Sequence, residues 1–232
     1  MKGLIRCHLS YLFSKKTLII SFLALIFVII AFLESIFNID NKTSYLENNY
    51  QYFLNGFFQT KLITIFLSIF VFGFSFLDRQ ENYTVIIIAS GTKRIKVFLS
   101  KIFTLCSFLF VFNYFSYFIY VLIGLYFYDF FEFNLQYLYG FFSLFLISIY
   151  FGFLSLLLIQ LFKNIYTLII PFGLYNISEI LNDDINLITK ILNLFIPYFS
   201  RNFVHFYGII HLVILILFLG IINTKYYLQK DL

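Results

Sequence analysis

Six stretches of this chain, 17–37, 56–77, 97–128, 137–162, 165–181 and 206–224, are mostly apolar and nearly free of charge. A helix that crosses the roughly 30 Å hydrocarbon core of a bilayer needs about 20 such residues, so each stretch predicts a transmembrane helix. Composition leaves no soluble alternative. Of the 232 residues, 62% are hydrophobic and 12% charged, against about 45 to 50% and about 25% in soluble domains. The expected fold class is therefore all-α integral membrane, with six spans forming one transmembrane domain over 1–232.

The basic residues predict the orientation of these spans. Lys2, Arg6, Lys15, Lys16, Arg79, Lys93, Arg94, Lys96, Lys101, Lys163, Lys225 and Lys230 fall on one side, twelve of the sixteen Lys and Arg. Lys42, Lys61, Lys190 and Arg201 fall on the other. Basic residues favour the cytoplasmic face, which predicts a multi-pass protein of the cell membrane with both termini in the cytoplasm. The net charge of +5 is read as this orientation signal, and no nucleic-acid partner is expected. The first residues lack an early apolar run and a small-residue cleavage site, so the first span is expected to be retained. With no Trp and 19 Tyr, any interfacial belt has to be built from Tyr. The many bulky rings predict few small-residue stripes for close helix pairing. A disulfide between Cys7 and Cys106 is not expected, since they fall on the cytoplasmic side and within a span.

Four segments outside the spans carry further expectations. In 1–16, Lys2, Arg6, Ser10 and Ser14 recur every fourth residue and form a narrow polar stripe on an otherwise apolar helix, the pattern of an interfacial helix lying against membrane lipid. In the connection 78–96, the apolar run Val85, Ile86, Ile87, Ile88, Ala89 sits between charged segments and has to be covered by protein or membrane. Ser90, Gly91 and Thr92 supply turn and capping chemistry before the third span. In 182–205, Ile188, Ile191 and Phe195 belong to an apolar segment that Lys190, Pro197 and Arg201 interrupt before spanning length. That pattern predicts a re-entrant outer element, with an amphipathic loop helix as the alternative. The loop 38–52, rich in Asn and Tyr, is expected to be a solvated outer loop. Within the fifth span, Pro171 and Gly173 predict a kink or a broken helix.

Chemistry is sparse. No GxxxxGK[ST] loop occurs, so the chain is not expected to hydrolyse ATP itself. His8, His205 and His211 do not share metal-ligand spacing with carboxylates, and no metal site is expected. Glu34 and Glu179 stand at span ends, where side chains reach water. Asn113, Ser116 and Asn176 read as interhelical hydrogen-bonding groups.

The loop Asp78-Arg79-Gln80-Glu81, followed by IIIASGTKRIKVFLSKI from Ile86 to Ile102, resembles a pattern in permease subunits of type-2 ABC transporters. There an acidic residue after the second span precedes a Leu-rich run, a turn, a basic residue and a helix bearing Gly-Lys. The layout of interfacial helix, six spans and re-entrant element is similar too. Two positions depart: Gly91 stands where the family commonly has the turn proline, and Ser100 where it has the glycine before the lysine. The resemblance implies a cytoplasmic coupling helix between spans 2 and 3 that docks on a separate ABC ATPase subunit. It implies that Glu81 and Val85 to Ala89 make that contact, and that Arg94 and Lys96 anchor the third span. ATP and Mg would then be bound by the partner, with no cofactor in this chain, and a second permease half, identical or homologous, would complete the path. The expected function is ATP-driven export of amphipathic or hydrophobic peptides in a bacterial cell, in the manner of antimicrobial-peptide export and immunity systems. A haem or cofactor export permease using His205 and His211, or a non-transporting immunity or scaffold protein, are the alternative readings.

Overall fold

In a computed structural model of the chain, residues 3–5, 8, 15–37, 45–77, 87–88, 91–127, 131–180 and 206–229 are described, and most of them are helical, with no strand among them. The helices are α1 (Lys15–Phe37), α2 (Tyr45–Ser75), α3 (Arg94–Phe127), α4 (Leu135–Phe162), α5 (Ile169–Ile180) and α6 (Phe206–Gln229), with a 3-10 turn at Ile165–Leu168 leading into α5. Among the described residues, five helices are long and apolar enough to cross a membrane, the exception being α5. Helix is the form expected of such sequences, because it satisfies backbone N–H and C=O groups within one segment where lipid offers no partner.

Local chemistry sets the helix ends. The Asn134 side chain accepts from the Gln136 N–H at 2.9 Å and caps the start of α4. Lys163 ends α4 in a left-handed conformation, φ 51°, its N–H reaching the Ile159 carbonyl. Asn164 then caps the 3-10 turn through the Tyr166 N–H. The fifth predicted span is thus interrupted at Ile165–Leu168, ahead of Pro171 and Gly173. Pro171 is tolerated in the first turn of α5, where its missing N–H has no intrahelical acceptor to serve.

The core lies between α2 and α4. The spanning window of α4 is 67% buried and that of α6 only 17%, which makes α4 central and α6 peripheral. Ring pairs step along α2 and α4 in the same sense, Phe53 with Tyr137 at 4.3 Å, Phe57 with Phe141 at 5.5 Å and Phe72 with Phe153 at 5.7 Å, so the two helices run side by side in parallel. Their seam is made of small residues. Gly56, Thr60, Thr64 and Ser68 recur every fourth position along α2; Gly56 lies against the Phe32 ring of α1, and Ser68 meets Ser148 and Gly152 of α4. The Ser68 hydroxyl donates to the Ser148 carbonyl across the seam. A Cβ on Gly152 would stand 2.7 Å from a Phe72 ring carbon. One close approach of small residues thus joins α2 and α4, beside the Phe72 ring, of the kind that lipid-embedded helix pairs use.

Other sequence expectations shift in the same way. The predicted loop 38–52 is helical from Tyr45, because α2 runs for 31 residues. Asn48, Asn49 and Tyr52 are buried there instead of solvated. Asn113, Ser116 and Asn176 donate to carbonyls four residues back on their own helices. Among the described residues, interhelical side-chain bonds are made instead by Tyr52, Ser68 and Asn223, and by the Gln59 amide donating to the Glu34 carboxylate at 3.3 Å.

Two clusters of rings stand at opposite ends of the bundle. At one end Phe32, Tyr52, Phe53, Tyr120, Tyr137 and Phe141 pack as a cluster. At the other, Phe76, Phe98 and Tyr227 form a triangle with centroid separations of 5.8, 6.1 and 4.8 Å.

Candidate functional site

The segment leading into α3 belongs to the Phe76 end. Ile87 and Ile88 are helical and half-buried. The Gly91 N–H donates to the Ile88 carbonyl at 2.9 Å, closing a turn in which Gly91 takes φ +90°. Only glycine adopts that conformation without strain. A proline at this position, with φ held near −65°, could not make this turn. Lys93 supplies the carbonyl that receives the first α3 hydrogen bonds, from Lys96 at 2.9 Å and Val97 at 3.3 Å. Arg94 is half-buried and Lys96 exposed on the opening turn.

One turn further on, α3 is fastened to its neighbours. Val97, Phe98 and Ser100 are buried, and the Ser100 hydroxyl donates to the Val97 carbonyl. That bond satisfies the buried hydroxyl within its own helix. The Phe98 ring completes the triangle with Phe76 at the end of α2 and Tyr227 on α6. Such ring pairs contribute about 0.5 to 1.5 kcal/mol each beyond burial. The Lys101 ammonium lies 4.0 Å from the Phe76 centroid, a cation over a ring that gains most when desolvated, and Lys101 is 6% exposed. His8, in the N-terminal segment, packs near this ammonium. Burial and then the Lys101 charge lower its pKa to about 4, so its ring is neutral at neutral pH. Phe76, Phe98, Lys101 and Tyr227 thus tie α2, α3 and α6 together close to the turn, with His8 beside Lys101.

Of the predicted coupling residues, Ile87, Ile88, Gly91, Arg94 and Lys96 therefore belong to one connection at the Phe76 end. Glu81, Val85, Ile86 and Ala89 lie outside the described residues. So do the stripe residues Lys2, Arg6, Ser10 and Ser14, and the predicted re-entrant residues Ile188, Ile191, Phe195 and Pro197. Among the described residues, no group of three or more His, Cys, Asp or Glu gathers to hold a metal ion.

Sequence reasoning missed Lys61. It was counted with the outer flanking charges, yet it stands sixteen residues into α2 and is 5% exposed. Its ammonium lies 5.5 Å from the Tyr175 ring centroid on α5. The unbroken helical pattern from Tyr45 onward was the signal that places it away from a helix end. Comparison with protein-family models, with curated proteins and with solved structures found no match to this chain.

Proposed function

We propose that this chain is the membrane-spanning permease subunit of an ATP-driven exporter with type-2 ABC architecture, moving amphipathic or hydrophobic peptides out of the cell. In this reading the 3-10 turn and α5 together make a sixth crossing, both termini lie in the cytoplasm, and the Phe76 end faces the cytoplasm. A separate ATPase carries ATP and Mg, and a second permease half closes the path.

The observation that carries the reading is the junction Ile87 to Lys101: a short half-buried helical piece, a glycine turn, and a helix start fastened by rings and a buried cation to α2 and α6. A partner that pushes on such a junction moves helices and not merely a loop. The basic residues Lys93, Arg94, Lys96, Lys163 and Lys225 cluster near helix ends on that side, which supports the orientation.

Copurification from native membranes tests it. An ATPase subunit is expected to accompany the chain, and its stimulation is expected to vanish in Ile87→Asp while the α-helical circular dichroism is unchanged. An ATPase that stays bound and fully stimulated in that variant would overturn the coupling role. Labelling of Thr92→Cys from outside intact cells would overturn the orientation.

A further inference from the structure

Along the middle of α1 and α6 the exposed side chains are bulky and apolar, Phe22, Phe27 and Ile30 on the first, Ile214, Leu217 and Ile221 on the second. Lipid tails cover such faces. α5 is different. Its inner face packs Phe172 on Phe66 of α2 and Tyr175 on Phe151 of α4, each pair with centroids 5.8 Å apart. Its other face presents Ile169, Gly173 and Asn176, flanked by Ile170 and Ile177. Nothing lies within 4 Å of a Cβ added to Gly173, so no other part of the chain occupies that space. Asn176 is exposed, and its Nδ2 donates to the Phe172 carbonyl of its own helix. Its Oδ1 and second Nδ2 hydrogen meet no partner among the described residues.

The depth of that amide is what gives it meaning. Leu168 lies against Gly73, Phe172 against Phe66 and Tyr175 beside Lys61, so α5 runs antiparallel to α2. Asn176 therefore stands level with the middle of that 31-residue helix. Lipid tails offer an amide no hydrogen-bond partner at such a depth, whereas another helix does. Close helix pairs in membranes use a small residue for the approach and a polar side chain for an interhelical bond. Ile169, Gly173 and Asn176, spaced by four and then three, put both on one seam.

We infer that α5 is where two copies of this chain pair, with Gly173 of each at the close approach and each Asn176 Nδ2 donating to the Oδ1 of the other. Complementarity identifies the occupant. The seam carries no charge that would select a partner of opposite sign, and an amide is its own complement because it holds donors and an acceptor together. A two-fold pairing sets each residue near the axis against its own counterpart. The inference rests on the permease reading for α5 as part of a crossing, makes the second half identical and names the face it meets.

The full chain, with Cys7 and Cys106 changed to Ala, carries Ile169→Cys or, as controls, Phe27→Cys or Leu217→Cys. Copper-phenanthroline oxidation in native membranes is expected to give a disulfide-linked homodimer for Ile169→Cys and for neither control. Single-molecule photobleaching of chains with one C-terminal fluorophore, in phosphatidylcholine vesicles over a range of protein-to-lipid ratios, gives the pairing constant. Asn176→Leu and Gly173→Leu are each expected to weaken pairing about tenfold or more, as loss of the interhelical bonds and of the close approach implies. Their α-helical circular dichroism is expected to be unchanged. A pairing constant unaltered by either variant, monomers at every ratio, equal cross-linking at the controls, or cross-linking of Ile169→Cys only to a different polypeptide would each overturn the assignment. An ATPase that accompanies a chain unable to pair through α5 would sink this inference and leave the coupling reading; pairing through α5 with no ATPase would do the reverse.

Discussion

The Tyr52 hydroxyl donates a 2.9 Å hydrogen bond to the backbone carbonyl of Tyr120, and the two rings stack with centroids 5.2 Å apart. One residue thus joins α2 to α3 at the end of the bundle opposite Phe76, in surroundings where neither group meets water. Removing the hydroxyl leaves a carbonyl that is already in a helix, so the loss is that of one interhelical bond. Tyr52→Phe is expected to destabilise the folded bundle by about 1 kcal/mol. Denaturant titration in mixed micelles measures this, and a Tyr52→Leu variant is expected to lose more because the ring stack goes with it.

Gly152 has its own consequence at the α2 and α4 seam. A Cβ there would meet Phe72 at 2.7 Å and the Ser68 hydroxyl at 2.8 Å. Gly152→Val is expected to push the two central helices apart and cost about 1 to 3 kcal/mol. Gly173→Ala on α5 is the control, since nothing lies within 4 Å of its added carbon. Equal thermal stability of the two variants would show that the seam is not closely packed.

The ring triangle at the Phe76 end predicts a larger effect. Phe98 is 2% exposed, and its ring lies between Phe76 and Tyr227. Phe98→Ala is expected to cost about 3 to 5 kcal/mol and to loosen the start of α3. Hydrogen exchange is expected to rise first over the opening turns of α3 and over the last turns of α6. Exchange that rises uniformly over all helices would argue against a local fastening role.

Gly91 tests the turn alone. With φ +90° and nothing within 4 Å of an added Cβ, the cost of Gly91→Ala is conformational and not steric, about 1 to 2 kcal/mol. The variant is expected to fold with unchanged helix content but to shift the Ile88 turn. Under the proposed function it lowers ATPase stimulation without lowering ATPase binding.

A pH dependence follows from His8. Its pKa falls from 6.5 to about 4 on folding, by burial first and by the Lys101 charge second. The unfolded segment therefore binds more protons than the docked one between those values, and docking strengthens as pH rises. The contribution is complete above about pH 6.5 and is lost progressively toward pH 4. Hydrogen exchange of the first residues is expected to accelerate as pH falls through that window, after correction for the intrinsic exchange rate. His8→Phe is expected to flatten the change.

Much of the architecture was legible because lipid imposes a simple length rule. Stretches 17–37, 97–128, 137–162 and 206–224 read as spans from apolar length alone, and α1, α3, α4 and α6 cover them within a few residues. The site was legible in part: the apolar run before Gly91 and the basic start of α3 were visible as a pattern. Ser100 and Lys101 gave no hint of burial, since their environment comes from Phe76 and Tyr227, distant in the chain.

The sequence by itself determined that this chain is helical and built for a membrane, because burial of its apolar side chains and satisfaction of its backbone hydrogen bonds in lipid both demand long helices. Only the tertiary structure decided which faces meet. The side-by-side course of α2 and α4 brought Ser68 and Phe72 against Ser148 and Gly152 in a close seam. The extension of α2 back to Tyr45 drew Asn48, Asn49 and Tyr52 inside and carried Lys61 into the bundle beside Tyr175. Apolar length is a property of each segment, whereas close approach and the burial of a charge depend on which segments become neighbours.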